Sequence, residues 1–281
     1  YSVVDGVIVF DAPARAEGQH SVLRLTTDPM PVVRVGFIGL GMRGPGAVER
    51  FTYLDGVEIK ALCDLYPDRV EKSQEILADR NLPAAAAYSG EEGWKELCRR
   101  DDIDLVYICT PWQLHVPMAV YAMEHGKHVA VEVPAAMSLE ECWQLVDTAE
   151  KTQRHCMMLE NCVYDFFELT TLNMAQHGLF GEIIHTEGSY IHDLDPFWEH
   201  YQGNWRLDFN QSHRGDVYAT HGLGPACQLL DIHRGDRMTR LVSMDTESIN
   251  GLKTAKEKMG AETFANGDQT PVSYTHLTLP T

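Results

Sequence analysis

The sequence has few basic residues compared with its acidic ones. Lysine and arginine total 23 against 41 aspartate and glutamate residues, which gives the 281-residue chain a formal net charge of −18. A surface of this sign repels nucleic-acid phosphates and anionic lipid headgroups. We therefore expect no nucleic-acid partner and no peripheral membrane binding, and a neutral or weakly charged small substrate fits the composition better.

Long apolar runs and paired cysteines are missing as well. No run approaches the roughly 20 apolar residues that a spanning helix needs, so no membrane-spanning segment is predicted. The seven cysteines show no Cys-x-x-Cys spacing and mostly lie in apolar runs, which favours free buried thiols over a disulfide framework or a zinc site. The chain starts at Tyr1 and not at a methionine, so the absence of a signal peptide leaves the compartment open.

What the sequence does contain is an alternation of strand and helix patterns. Apolar, β-branched runs over 32–39, 57–64, 103–110 and 128–132 are typical of buried strands, and helical patterns separate them. A further helical pattern covers 139–152. Strands that alternate with helices of roughly 10–15 residues predict right-handed crossovers and a parallel sheet. The predicted fold class is α/β, with a doubly wound Rossmann sheet.

The pattern changes along the chain and predicts several regions. They are an N-terminal arm (1–30), a dinucleotide-binding domain (31–160), a partial substrate domain (161–271) and a non-native tail (272–281). We expect the substrate domain to be of α+β type with an open, mainly antiparallel sheet, a helix over 166–176 and a strand over 183–192. Because the last ten residues break the preceding pattern, we expect a native C-terminal portion to be missing.

The segment Gly39-Leu40-Gly41-Met42-Arg43-Gly44 follows the first buried strand and opens a helix. Gly39 permits a tight turn, Gly41 lets the backbone approach a pyrophosphate, and Gly44 lets helix and strand pack closely. Asp64 ends the next strand, where its carboxylate can accept both ribose hydroxyls and would repel a 2′-phosphate. The motif predicts bound NAD and not NADP. A plain glycine turn without a ligand is the alternative.

Two later segments follow strands at the same predicted edge of the sheet. Trp112 and His115 come after the 103–110 strand, and Glu132-Val133-Pro134 ends the next one. Ligands of such sheets bind at the carboxyl ends of the strands. We therefore predict that Trp112 and His115 flank the cofactor and that Glu132 faces its nicotinamide side. The alternatives are simple packing for Trp112 and a helix cap for His115.

In the second domain, a loop is predicted through about residue 216, and within it aromatic rings are interleaved with charged and imidazole side chains between Tyr190 and Phe209. The aromatic residues are Tyr190, Phe197, Trp198, Tyr201, Trp205 and Phe209, and the others are His192, Asp193, Asp195, Glu199, His200 and Arg206. Aromatic faces stack on sugar C–H surfaces while polar tips bind hydroxyls, so a carbohydrate pocket is predicted, with ordinary packing as the alternative. The His and Asp spacing fits no compact ligand motif, and no metal site is predicted.

Tyr218 and His221 are suitable for proton transfer. They are three positions apart, so they share one face if that segment is helical. The alternative is a structural histidine beside a core tyrosine.

Three segments carry a resemblance to the glucose-fructose oxidoreductase/inositol dehydrogenase (Gfo/Idh/MocA) superfamily. They are the runs 35–44, 109–115 and 126–134. Most dehydrogenases of that group have Glu-Lys-Pro where this chain has Glu132-Val133-Pro134, and the lysine helps remove the substrate hydroxyl proton. Val133 cannot do so, which makes an ordinary sugar dehydrogenase less expected. Together with Tyr218-Ala-Thr-His-Gly222, the motifs resemble glycoside hydrolase family 109, an NAD-dependent branch with α-N-acetylgalactosaminidase activity.

The resemblance runs from about residue 7 to residue 268 and implies roles for individual residues. Implied NAD contacts, beyond the glycines Gly39, Gly41 and Gly44, are Met42, Arg43, Asp64, Trp112, His115, Glu132, Val133 and Asn161. Implied sugar contacts are Tyr190, Arg206 and Tyr218, and the Tyr218/His221 pair lies between cofactor and sugar as the catalytic pair. The family's chain continues further and supplies another substrate-binding tyrosine there.

The function implied is an NAD-dependent exo-glycosidase acting on terminal α-linked N-acetylgalactosamine. Its expected chemistry is transient oxidation at C3, elimination across C1 and C2, water addition and re-reduction. The alternatives are an NAD-dependent sugar or inositol dehydrogenase and a non-catalytic dinucleotide-binding scaffold or sensor. The resemblance implies a periplasmic or exported location, and oligomeric state and export route stay open.

Overall fold

The computed structural model describes residues 2–4, 7–9, 15–193, 204–212 and 218–242, together with Lys253 and Glu257. Several predicted features lie outside the described residues. These are Asp195, Phe197, Trp198, Glu199, His200 and Tyr201 of the aromatic stretch and the tail over 272–281.

The helices and strands of the described part follow one another in a regular order. They are β1 (Ser2–Val4), β2 (Val7–Val9), β3 (Val33–Ile38), α1 (Gly44–Phe51), β4 (Val57–Asp64), α2 (Pro67–Asp79), β5 (Ala86–Ser89), α3 (Gly93–Cys98), β6 (Leu105–Ile108), α4 (His115–Glu124), β7 (His128–Val131), α5 (Leu139–Thr152), β8 (Cys156–Met158), α6 (Phe166–Gln176), α7 (Trp205–Ser212) and α8 (Ala219–Leu229). Short 3-10 helices cover Trp112–Leu114 and Cys162–Tyr164.

The chain divides into two compact units. The first comprises Tyr1–Ser2 and Ile8–Leu159, and the second comprises Val3–Val7 and Glu160–Thr281. None of the helices in the described part has the length and apolar character that a membrane crossing requires.

The first unit contains a six-stranded parallel sheet with the strand order β5-β4-β3-β6-β7-β8. The chain builds outward from β3 in one direction, then crosses back to β6 and builds in the other. This is the doubly wound Rossmann order, and its direction reverses between β3 and β6, where ligands of such sheets bind. The predicted Rossmann fold is confirmed.

Apolar side chains cover both faces of this sheet because side chains alternate along a strand. Val35 and Phe37 of β3 pack with buried residues of α1 and α2 on one face. Ile38 belongs to the opposite cluster, which includes buried residues of α3, α4 and α5. The core therefore fixes the strand ends that carry the candidate site.

The predicted N-terminal arm contacts α5. Arg15 donates to Glu150 through two nitrogens at 2.8 and 2.9 Å, and the amide of Gln19 donates to Asp147 and Glu150, each at 2.9 Å. The arm is therefore attached to the Rossmann domain through this helix.

The second unit differs from the sequence prediction in two places. Residues 183–192 form no strand, because a strand needs a neighbour to share its backbone hydrogen bonds and the described residues after Glu160 supply none. The aromatic stretch, expected to be a loop, contains the helix α7 instead. The helix predicted over 166–176 is confirmed as α6. The antiparallel sheet of this domain stays a prediction.

Candidate functional site

The glycine-rich loop lies at the reversal point of the sheet. Gly39 has a φ of +93°, and a Cβ atom there would lie 2.6 Å from the carbonyl carbon of Cys109. Gly44 begins α1, and a Cβ atom there would collide with the carbonyl oxygen of Gly39. Larger residues at either position would force this loop open. The loop therefore has the close-packed backbone that a pyrophosphate cradle needs.

Asp64 lies beside this loop at the end of β4. Its side chain is only 5% exposed, and its Oδ2 accepts a hydrogen bond from the backbone N–H of Leu40 at 2.6 Å. Its Oδ1 accepts from the N–H of Tyr66 at 3.0 Å and faces Nη1 of Arg69 at 3.4 Å. The carboxylate is held where a ribose would lie if a dinucleotide occupied the loop. The residues of the first unit therefore fit NAD.

Glu132 follows β7 and is held by two side chains. Its Oε1 accepts from the hydroxyl of Tyr107 at 2.9 Å and from Nε of Arg43 at 3.2 Å. Burial raises the pKa of Tyr107, so the phenol stays a hydrogen-bond donor. The structure thus brings together the predicted residues Arg43 and Glu132. Tyr107 was not predicted, and the only signal was a tyrosine within a buried strand.

Trp112 and His115 follow β6, as predicted, but both are buried. The two ring nitrogens of His115 lie 2.7 Å from the carbonyl oxygen of Pro134 and 2.8 Å from that of Thr110. Burial lowers the pKa of this imidazole. His115 therefore ties together the segments that follow β6 and β7, and its predicted contact with NAD stays a prediction, as do those of Met42 and Val133.

In the second unit, His221 lies in the first turn of α8, and Tyr218 immediately precedes this helix. Their rings stack with centroids 5.4 Å apart. Nδ1 of His221 makes a short hydrogen bond with Oε1 of Glu160, and both side chains are 7% exposed. Glu160 also accepts from the backbone N–H groups of Cys162 and Val163 at 3.0 and 2.8 Å. The imidazole is therefore oriented by a carboxylate that is itself fixed by the backbone.

The predicted sugar-binding residues lie around this pair. The ring of Tyr190 lies 4.4 Å from that of His221 and 5.8 Å from that of Tyr218. The guanidinium carbon of Arg206 lies 5.5 Å from the ring centroid of Tyr218, and His192 lies against Tyr190 at 4.3 Å. The structure therefore gathers the four residues predicted to bind sugar or transfer protons into one cluster.

Close backbone contact at Gly222 allows this cluster to form. A Cβ atom on Gly188 would collide with the carbonyl oxygen of Gly222. A Cβ atom on Gly222 would in turn lie 2.8 Å from the carbonyl oxygen of Gly188. The segment that leads to Tyr190 therefore passes directly over the turn that carries His221. Side chains at either glycine would push Tyr190 away from the imidazole.

Glu160 is the residue of this cluster that sequence reasoning missed. It follows β8, and a carboxylate directly after a parallel strand was the same signal that identified Asp64 and Glu132. Glu160, Cys162 and His221 also have potential ligand atoms within 4.8 Å of one another. The Glu160 oxygens already accept three hydrogen bonds, so we propose no metal ion there.

Asn161, the remaining predicted NAD contact, is exposed. Its amide nitrogen lies 3.8 Å from Sγ of Cys162. Its predicted role stays a prediction.

Comparison with known proteins defines the class of the molecule. Residues 33–160 match the family model "Oxidoreductase family, NAD-binding Rossmann fold" (GFO_IDH_MocA). A solved structure of apo scyllo-inositol dehydrogenase from Lactobacillus casei is similar to 55% of this chain and 44% of its own, with a TM-score of 0.47 and 19% identity. The family model identifies the first unit as an NAD-binding Rossmann domain of the Gfo/Idh/MocA type, so the predicted NAD cofactor is confirmed. The expected discrimination against NADP stays a prediction.

The second domain and the curated relatives identify the family. Residues 164–271 match the family model "Glycosyl hydrolase 109, C-terminal domain". A "Glycosyl hydrolase family 109 protein 1" from Bacteroides fragilis is 67% identical over 92% of this chain and 56% of the relative. A family 109 protein from Porphyromonas gingivalis is 64% identical over 94% of this chain and 57% of the relative. The chain belongs to glycosyl hydrolase family 109, and it spans about half the length of these relatives.

Proposed function

We propose that the protein, at the length of its family 109 relatives, is an NAD-dependent exo-glycosidase that removes terminal α-linked N-acetylgalactosamine. The observation that carries the proposal is the Glu160–His221 pair beside Tyr218 and Tyr190. It combines a fixed imidazole and a phenol, which can both transfer protons, with aromatic rings that can lie against a sugar.

The composition of this cluster fits a redox route better than direct hydrolysis. Most glycosidases need two carboxylates on either side of the scissile bond, and NAD-dependent enzymes are among the exceptions. Glu160, the carboxylate that contacts His221, is buried and already engaged by this imidazole and by two backbone amides. Bound NAD would supply a hydride acceptor for C3 and return the hydride at the end, so no net oxidation occurs.

The chain's own side chains would move the protons. Tyr218, as the phenolate, takes the C3 hydroxyl proton while the C3 hydrogen would leave as hydride to the bound cofactor. This leaves a ketone at C3 that acidifies the C2 proton. His221 removes this proton through Nε2, because Glu160 engages Nδ1 and stabilises the imidazolium that forms. The electron pair from C2 expels the aglycone from C1. Water then adds to C1 while His221 gives a proton back to C2. Return of the hydride to C3 would be accompanied by transfer of a proton from Tyr218 to the C3 oxygen, which closes the cycle.

Arg206 and Tyr190 would position the sugar. Arg206 is a permanent cation next to Tyr218 and can donate to an acetamido carbonyl or a ring hydroxyl. Tyr190 can lie against the C–H face of the ring.

The first test of this function compares the amount of aryl group released with the amount of NADH that accumulates. An aryl α-N-acetylgalactosaminide should release its aryl group with no net NADH. NADH accumulating in proportion to sugar would indicate a dehydrogenase, and NAD binding with neither product would indicate a sensor. Deuterium at C2 should wash out into water during turnover, and full retention would exclude the elimination step.

A second test assigns the two proton acceptors. In His221→Asn, oxidation at C3 should still occur, so one equivalent of NADH absorbance appears without release of the aryl group. In Tyr218→Phe, neither signal should appear. Aryl release by His221→Asn at the unmodified rate would contradict the assignment of His221.

A further inference from the structure

We propose that His128, His155 and Arg154 form a binding site for a small tetrahedral oxyanion, either a free sulfate or phosphate ion or the sulfate group of a sugar. The site lies at the amino ends of β7 and β8. The carboxyl ends of the same two strands lead to Glu132 and Glu160, so the site is on the opposite edge of the sheet. It is independent of the proposed glycosidase activity and of the cofactor.

Two imidazoles lie side by side at this edge. His128 is the first residue of β7, and His155 immediately precedes β8. Val129 and Cys156 are partners in the parallel pairing of these strands, so the two histidines are the next pair along. Their ring centroids lie 5.1 Å apart, with 40° between the ring planes, and both residues are partly exposed. The register of the sheet therefore brings the two rings together where a ligand can reach them.

A backbone contact determines which nitrogen of His128 carries the proton. Nδ1 of His128 accepts a hydrogen bond from the backbone N–H of His155 at 3.0 Å. In the neutral ring the proton therefore lies on Nε2, which makes this atom a hydrogen-bond donor. A metal ion on Nε2 would require the proton on Nδ1, where it would face the N–H of His155. The arrangement thus disfavours a metal ion and favours a ligand that accepts hydrogen bonds.

Arg154 supplies the positive charge of the site. It lies between the end of α5 at Thr152 and the start of β8, and its Nε–H is buried with no hydrogen-bond partner within the described part of the chain. A Cβ atom on Gly126, in the turn that leads to His128, would lie 3.8 Å from its Nη2. A buried donor without an acceptor is unfavourable, and an oxyanion is the ligand that a guanidinium binds with parallel N–H groups.

The surrounding charges leave Arg154 without a counterion. The carboxylate of Asp104 is already bound by Arg34, whose Nε and Nη2 donate to it at 2.8 and 2.5 Å. Among the residues that the structure describes, no carboxylate forms an ion pair with Arg154. Burial, with the neighbouring His155 and Arg154, lowers the pKa of His128, although Asp104 acts in the opposite direction. His128 therefore donates as a neutral ring, and the charge that balances the anion is that of Arg154.

The test is a calorimetric titration of the purified chain with sodium sulfate at pH 7.5 and constant ionic strength. Saturating NADH is present, so that sulfate cannot occupy the glycine loop. We expect one sulfate per chain, and an affinity about tenfold weaker in Arg154→Gln. Arg154→Lys keeps the charge but lacks the planar fork, so its affinity should lie between these two. His128→Asn keeps an acceptor for the N–H of His155 but loses the Nε2 donor, and it should bind about threefold weaker or less well.

Two further variants remove the same chemical groups elsewhere on the surface. Arg99 directly follows α3 and is exposed, and His177 directly follows α6 and is exposed. Arg99→Gln and His177→Asn should each leave the sulfate affinity within about twofold, because an exposed charge outside the site contributes little.

Sulfate affinity that is unchanged in Arg154→Gln would overturn the proposal, as would an equal loss in Arg99→Gln or no heat of binding at all. If the melting temperature shows that Arg154→Gln does not fold, His155→Asn decides in its place and should also weaken sulfate binding. Separate titrations with phosphate and with galactose 6-sulfate assign the source of the anion, and Arg154→Gln must weaken whichever of them binds. NADH binding by every variant shows that the first unit is intact.

Discussion

The two units each hold a buried carboxylate in a different way. Asp64 is bound by backbone N–H groups and faces Arg69, whereas Glu160 is bound by backbone N–H groups and an imidazole, that of His221. A guanidinium is always charged and exchanges no proton, so the first arrangement can orient a ligand and set its charge preference. An imidazole gains and loses protons near neutral pH, so the second arrangement can take part in a reaction. We therefore propose that the first unit binds the cofactor and that the second unit carries the residues that transfer protons.

The largest effect is expected from Tyr218→Phe. Loss of the hydroxyl removes the acceptor for the sugar's C3 proton, so kcat should fall by about 10³-fold or more. NAD should stay bound, because the change removes one hydroxyl and leaves the predicted NAD contacts of the first unit in place. Glycosidase assays on a protein of the relatives' length, with calorimetric titration of NAD, check both parts. Near-normal turnover would remove Tyr218 from the reaction.

Glu160→Gln should have the next largest effect. The amide cannot stabilise an imidazolium as a carboxylate does, so kcat should fall by about 10²-fold while NAD affinity is retained. Glu182→Gln, at an exposed position of the same unit, is the control. Because Glu160 also binds two backbone amides, the melting temperature should be recorded alongside. A loss of NAD affinity as large as the loss in kcat would show that Glu160 also serves cofactor binding, and the proposed division of roles between the two units would then be wrong.

Tyr107→Phe should have a smaller effect, and it should lower NAD affinity more than kcat. It removes one hydrogen bond to Glu132 and leaves the contact from Arg43. We expect NAD affinity to fall by about three- to tenfold, since such bonds contribute about 0.5–1.5 kcal/mol. The rate of the bound complex should change less than the affinity. Titration and saturation kinetics distinguish these, and a fall in kcat alone would contradict the assignment of Glu132 to binding.

The smallest effect concerns His115 and pH. Because burial lowers its pKa in the folded state, the unfolded chain binds a proton first as the pH falls. The stability contributed by this residue is therefore present above about pH 6.5 and is lost as the pH falls toward its folded pKa. Melting temperatures between pH 7.5 and 5 should fall less in His115→Asn than in the unmodified chain. His125→Asn, at an exposed site, is the control for the loss of an imidazole from the surface.

The sequence predicted best those helices and strands whose own residues carry a strong pattern of apolar positions. The buried run over 57–64 and the helical pattern over 139–152 match β4 and α5, because their apolar periodicity is strong. β5, with the sequence Ala-Ala-Tyr-Ser, carries little apolar signal and was not predicted. It pairs only with β4 within the described sheet, and such edge strands depend on their neighbour.

The candidate site was predictable to the extent that its residues follow strands. Asp64 and Glu132 were found in this way, and Glu160 could have been. The positions of Tyr107 and Arg69 depend on which way a side chain points across the fold, and a sequence does not show this. The prediction of a strand over 183–192 was wrong for a similar reason. A strand depends on partners that are distant in the chain, and a sequence does not show them.

The hydrogen bond from the backbone of Leu40 to Asp64 has a consequence for the speed and strength of cofactor capture. It links the glycine loop to the end of β4 within the protein alone. The loop therefore has its shape before a dinucleotide arrives, and little conformational entropy is lost when it docks. Mutating Asp64 to a residue that cannot accept this bond should slow association as well as weaken the ribose contact.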